Sequence, residues 1–81
     1  MQVVVQLFAG ARQAAGCESV AVEVSPPVTA RRVLDSIRRE LPELAPLAAS
    51  SRLAVGGRYA ADDAAIGEDS EIVLIPPVSG G

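Results

Sequence analysis

The sequence predicts an α+β domain: a mixed sheet of about five strands with one main helix packed on one face. Three observations carry this. Stretches near both ends are apolar or alternate at strand period, one stretch between them is apolar at helical spacing, and Gly56-Gly57 divides a further strand-like stretch into a hairpin. The first and last strands are expected side by side as a parallel central pair, since both are rich in β-branched residues. At 81 residues there is room for one core. The expected division is a folded domain over 1–75 and an extended C-terminal tail over 76–81.

The first strand reads as Gln2–Phe8, with Val3, Val5 and Leu7 on one face and Gln2, Val4, Gln6 and Phe8 on the other. Ala9–Gly16 is short and Ala-rich, a helical turn or short helix with Gly16 as its C-cap. Ser19–Val24 alternates again, Val20, Val22 and Val24 facing in and Ala21 and Glu23 out, until Ser25-Pro26-Pro27 stops it. Thr29 is a favoured N-cap for the main helix, and Val28 before it is placed to staple onto Val33. Val33, Leu34, Ile37 and Leu41 make one apolar stripe; Arg31, Arg32, Asp35, Arg38, Arg39 and Glu40 lie on other faces. Arg38 and Arg39 suit the negative end of the helix dipole, and Pro42 ends the helix. Glu43–Leu47 reads as a helical turn under the sheet edge. Arg52–Val55 and Arg58–Ala60 flank Gly56-Gly57, a two-residue type I′ or II′ turn. Ala61–Asp69 reads as loop and turn, with Ile66 plugging the core. Gly67–Ser70 turns the chain into the last strand, Glu71–Ile75.

Composition excludes several function classes. The net charge is −3, so nucleic acid is not an expected partner. No apolar run approaches a membrane span and no signal peptide precedes the first strand, so the expectation is a cytoplasmic protein without membrane contact. There is no His and one Cys, which nearly excludes catalytic triads, zinc sites and imidazole acid–base chemistry; no metal site is expected. Cys17 reads as a small loop residue with no His or Lys beside it to activate the thiol. All seven basic residues are Arg, so no side-chain amine is available to join to a carboxyl group.

The most informative segment is the end, Pro76-Pro77-Val78-Ser79-Gly80-Gly81. Two glycines are a poor finish for a packed fold but a good one for a tail that passes through a narrow slot, because neither has a Cβ to clash. Six extended residues reach roughly 20 Å, far enough to enter another protein's active site. The reactive group is then the α-carboxylate of Gly81. The competing reading, a frayed end or an expression scar, fits less well with a tail that follows directly on the apolar run Ile72–Ile75 and begins with a stiff Pro-Pro pair.

The element order and the Gly-Gly end resemble the β-grasp, ubiquitin-like fold. The ending Pro-Pro-Val-Ser-Gly-Gly is similar to that of the small, sulfur-carrying subunits of molybdopterin synthase, the MoaD family among the MoaD/ThiS carriers. Leu7-Phe8-Ala9 followed by Arg12 and Gly16, and Gly67-Glu68-Asp69-Ser70-Glu71-Ile72, also resemble that family. It more often has Thr where Ser79 stands.

The resemblance implies a mechanism. An ATP-dependent adenylyltransferase of the ubiquitin-activating type turns Gly81 into an acyl-adenylate, and a sulfur donor converts this to a thiocarboxylate. The tail, Pro76 through Gly80 leading to Gly81, then threads into the large subunit of molybdopterin synthase, where the sulfur attacks cyclic pyranopterin monophosphate. No cofactor is expected on this chain; ATP is used by the activating partner. By the same resemblance Phe8, Tyr59 and Ile75 match an apolar patch that meets the large subunit; Arg12 is expected to add a polar contact at its rim. Read from residues alone, the first three fit core packing as well, and Arg12 fits a solvated charge. A carrier for thiamin or tRNA thiolation, a protein modifier, and an interaction module whose terminus does no chemistry remain as alternatives.

Overall fold

The structure is a computed structural model and describes residues 1–76. Alternation builds β1 (Gln2–Leu7): Val3, Val5 and Leu7 are buried and Gln2, Val4 and Gln6 exposed. The strand stops one residue earlier than its pattern suggests. Ala9 takes a positive φ of 47°, and the Ala11 N–H donates to the Phe8 carbonyl at 3.1 Å, so the chain turns directly after Phe8. A short helix α1 (Gly10–Ala15) follows, closed by Gly16 at φ 72°, whose N–H donates to the Arg12 carbonyl. Glycine is suited to that left-handed position. β2 (Ser19–Glu23) ends one residue before Val24, which is nevertheless buried.

The main helix α2 (Ala30–Glu40) begins where Thr29 predicts. Its hydroxyl accepts from the Arg32 N–H at 3.3 Å. Other free N–H groups of the first turn are satisfied by the loop before the last strand: Ala30 N–H donates to Ala64 and Arg31 N–H to Asp62. Ile66, buried as expected, is tied to the same place through its N–H to the Val28 carbonyl. Val33 and Ile37 are fully buried, with Leu34 and Leu41 packed at the margin. Ser36 adds a polar link: its Oγ donates to the Glu23 carbonyl at 3.0 Å and accepts from Arg39 Nη2 at 3.3 Å.

A 3-10 turn (Pro42–Leu44) and a short helix α3 (Ala45–Ser50) replace the single helical turn expected at 43–47. Pro42 and Pro46 both sit in a first turn, where a missing N–H costs nothing. Leu44 and Ala48 bury the inner side.

β3 (Arg52–Val55) and β4 (Arg58–Tyr59) form the hairpin, and β5 (Ile72–Ile75) completes the sheet. Gly56 and Gly57 have φ 59° and 82°, the two positive angles of a type I′ turn. The turn into β5 closes with Ser70 N–H on the Gly67 carbonyl. The strand order is β2-β1-β5-β3-β4. β1 and β5 are parallel and central, paired Val5↔Ile72, Gln6↔Val73 and Leu7↔Leu74. The other pairs are antiparallel. The core lies between the sheet and the helices, where Val3, Val5, Leu7, Leu53, Ile72 and Leu74 meet Val33, Ile37 and Leu44.

Candidate functional site

Register decides which side chains share the face turned away from the helices. Gln6 pairs with Val73, Val73 with Ala54 and Ala54 with Tyr59, so these four form one row across β1, β5, β3 and β4. Because side chains alternate, the next outward row toward the strand end of β5 holds Ile75 and its partner Arg52. Phe8 follows Leu7, whose partner is Leu74, and so lies at that same end.

Three large apolar side chains are exposed among the described residues: Val4 at 53%, Phe8 at 57% and Tyr59 at 58%. All three belong to this outer face. Val73 and Ile75 on the same face are half-buried. Apolar residues scattered over a surface need no explanation, but a set on one face makes that face the candidate interaction surface. Of the two readings left open by the sequence, Phe8 and Tyr59 are therefore surface residues and not core. Ile75 stands between, and Arg12 is exposed on α1 without an ion pair among the described residues. Val4 and Val73 lie on the same face although the family resemblance did not single them out; the alternation of β1 already puts Val4 on the face of Phe8, toward the other end of the strand.

One charged group sits within this patch. The Arg52 guanidinium carbon lies 4.4 Å from the centre of the Tyr59 ring, a cation–π contact. Sequence reading missed it, because an isolated arginine at a strand start gives no signal until pairing places it beside Ile75 and Tyr59.

β5 leads out of the sheet at this same end through Pro76, which is half-buried. The expected threading residues Pro77, Val78, Ser79 and Gly80, and the expected reactive Gly81, lie outside the described residues. Elsewhere, a cleft of ≈ 500 Å³ runs along α2, lined by Arg31, Arg32 and Arg39 but equally by Asp35, Asp62 and Asp63. Arg31 reaches Asp35 and Asp62 at 3.9 Å each, so the charges there largely satisfy one another. Among the described residues no group of acidic, Cys or His side chains is arranged to hold a metal, and no helix is long and apolar enough to cross a membrane. Cys17 is exposed.

The sequence profile of the ThiS family matches residues 5–81. The chain is 30% identical over 81 residues to the molybdopterin synthase sulfur carrier subunit of Arabidopsis thaliana, covering all of this chain and 84% of that one. Among solved structures it is similar to SAMP1 of Haloferax volcanii, at TM-score 0.81 and 28% identity with both chains fully covered. It is also similar to a putative molybdopterin converting factor subunit 1 of Pyrococcus furiosus, at TM-score 0.78 and 25% identity, over 95% of this chain and 98% of that one. With a family match across nearly its whole length, and TM-scores of 0.81 and 0.78 to these neighbours, the chain belongs to the ThiS family and has the β-grasp, ubiquitin-like fold of its MoaD-like members.

Proposed function

We propose that this chain is the sulfur-carrier subunit of a molybdopterin synthase. The observation that carries the reading is the 30% identity, over every residue of the chain, to a protein that has that role in Arabidopsis. The exposure of Phe8 and Tyr59 on the face beside the tail root supports it, since a carrier must dock before its tail can react.

The chemistry needs only the terminal carboxyl group of this chain. A carboxylate oxygen of Gly81 attacks the α-phosphate of ATP in an activating adenylyltransferase, and pyrophosphate leaves. Sulfide-level sulfur delivered by a donor then attacks the acyl carbon and displaces AMP, leaving a thiocarboxylate. In the large subunit its sulfur attacks a side-chain carbon of cyclic pyranopterin monophosphate and displaces an oxygen substituent, which leaves as water or as a phosphate oxygen; water then cleaves the acyl–sulfur bond, leaving the sulfur on the pterin and restoring the carboxylate. Two such transfers supply both sulfurs of a dithiolene. The proton transfers belong to the partners, because this chain has no His and no Lys. Gly80, Ser79, Val78, Pro77 and Pro76 serve as the thread, and Phe8, Tyr59, Ile75 and Arg12 as the docking surface. Ordering the last three residues in a partner costs on the order of 3–6 kcal/mol of backbone entropy, which favours release between steps. If one face serves both the activating enzyme and the large subunit, the two complexes exclude each other.

A second reading, a ubiquitin-like protein modifier, is favoured by the likeness to SAMP1, a small archaeal modifier protein. It uses the same activated Gly81 but passes it to an amine.

The test is the intact mass of the protein purified from its native cells while they make molybdenum cofactor, followed by incubation with the large subunit and the pterin. A species with one oxygen replaced by sulfur, able to convert the pterin, is expected. Protein with only the carboxylate, or conjugates to cellular amines without pterin conversion, would refute the carrier reading.

A further inference from the structure

We infer that Arg52 selects partners for the outer face by requiring a carboxylate opposite it. This rests on the docking role proposed above. Arg52 stands in register with Ile75, the last residue of β5, and its guanidinium lies over the exposed Tyr59 ring. Its immediate surroundings on that face are therefore Ile75, Tyr59 and, two residues along its own strand, Ala54. Among the described residues no carboxylate lies within ion-pair distance of it.

A partner that covers Ile75 and Tyr59 must cover Arg52 as well. The guanidinium cannot shed its charge, so once water is removed its N–H donors need acceptors from the partner. A purely apolar partner surface would lose more by enclosing an unpaired cation than it gained from the aromatic ring. A carboxylate meets the need best, because it accepts two parallel N–H bonds from the guanidinium fork. The ring contact also holds the fork in place beforehand, which reduces the ordering cost of forming that pair. The same arrangement rejects partners: an apolar patch of the right shape that carries Lys or Arg at this point is repelled. The apolar side chains supply contact area, and Arg52 supplies the choice among surfaces of similar shape.

The experiment measures binding of the full chain to the large subunit of molybdopterin synthase from the same organism, at low and high salt, for the unsubstituted chain, Arg52→Leu and Arg52→Glu. Arg52 is exposed, so all three should melt within a few degrees of one another. Arg52→Leu should bind at least about 30-fold more weakly and lose most of the salt dependence, and Arg52→Glu more weakly still. One Asp→Arg or Glu→Arg change on the large subunit should restore binding to Arg52→Glu. Equal or tighter binding by Arg52→Leu, or failure of every such charge swap, overturns the assignment of Arg52 alone. Failure of the unsubstituted chain to bind overturns both it and the carrier reading.

Discussion

Replacing Phe8 by Ala separates docking from folding. The side chain is 57% exposed, and an aromatic residue buries 150–250 Å² when fully covered, so roughly 110 Å² remains for a partner to bury. At about 25 cal/mol per Å² this amounts to nearly 3 kcal/mol, or roughly a hundred-fold in Kd. The portion already covered in the monomer contributes at most about 2 kcal/mol to folding, an upper bound because denatured chains also bury surface. Phe8→Ala should therefore stay folded at 25 °C and lose less than about 10–15 °C in Tm, while calorimetric titration with the large subunit shows the hundred-fold loss. Phe8→Asp should bind more weakly still, since it places an unpaired charge in the interface. A core phenylalanine would behave in the opposite way, costing 3–5 kcal/mol of stability. Unfolding of the isolated mutant, or unchanged binding by a folded one, would show that this face is not where the partner docks.

Three further outcomes are expected. Deleting Gly81, or adding a residue after it, should leave the circular dichroism spectrum unchanged and reduce pterin conversion to background; near-normal conversion by the extended chain would remove Gly81 from the mechanism. With the thiocarboxylate installed chemically, Gly80→Ala should slow single-turnover transfer by about a hundred-fold, because a Cβ beside the reacting carbonyl displaces it. Ser79→Ala should cost only about five-fold, the worth of one hydrogen bond, and equal rates would rule out steric reading of the tail. Ser36→Ala should destabilise by about 1–3 kcal/mol in urea melts, since the residue is 3% exposed and its hydroxyl donates to the Glu23 carbonyl, yet leave sulfur transfer by the folded protein intact.

Much of the fold was legible because local and global preferences agree. Thr29, Gly56-Gly57 and Gly16 each sit where backbone geometry admits few residue types, and the structure uses them as a cap, a type I′ turn and a left-handed stop. The alternation of β1 correctly separated core from surface. What failed was weakly coded. The sequence reads as one turn where α3 stands because the inner side there rests on Leu44 and Ala48, and an alanine anchor makes no visible stripe. It extends the first strand to Phe8 because nothing in Phe8-Ala9-Gly10 announces that the alanine, and not the glycine, takes the positive φ. For the proposed docking surface, alternation separates Phe8 from the core side of its strand, and the Gly56-Gly57 hairpin pairs the strands that carry Arg52 and Tyr59. What spacing along the chain holds no record of is the pairing of β3 with β5, which sets Ile75 beside Arg52.

The parallel pairing of β1 with β5 has a mechanical consequence. A pull applied at Ile75 along the axis of β5 would be met by the strand's pairing on both sides. That strand is held on both sides, by β1 through Val5, Gln6 and Leu7 and by β3 through Arg52 to Val55. Tension directed along a strand loads the bonds of both ladders together in shear; it does not peel them apart one at a time from an edge. β5 is thus anchored like a rod clamped at mid-sheet, and any force along its axis is spread across the centre of the molecule.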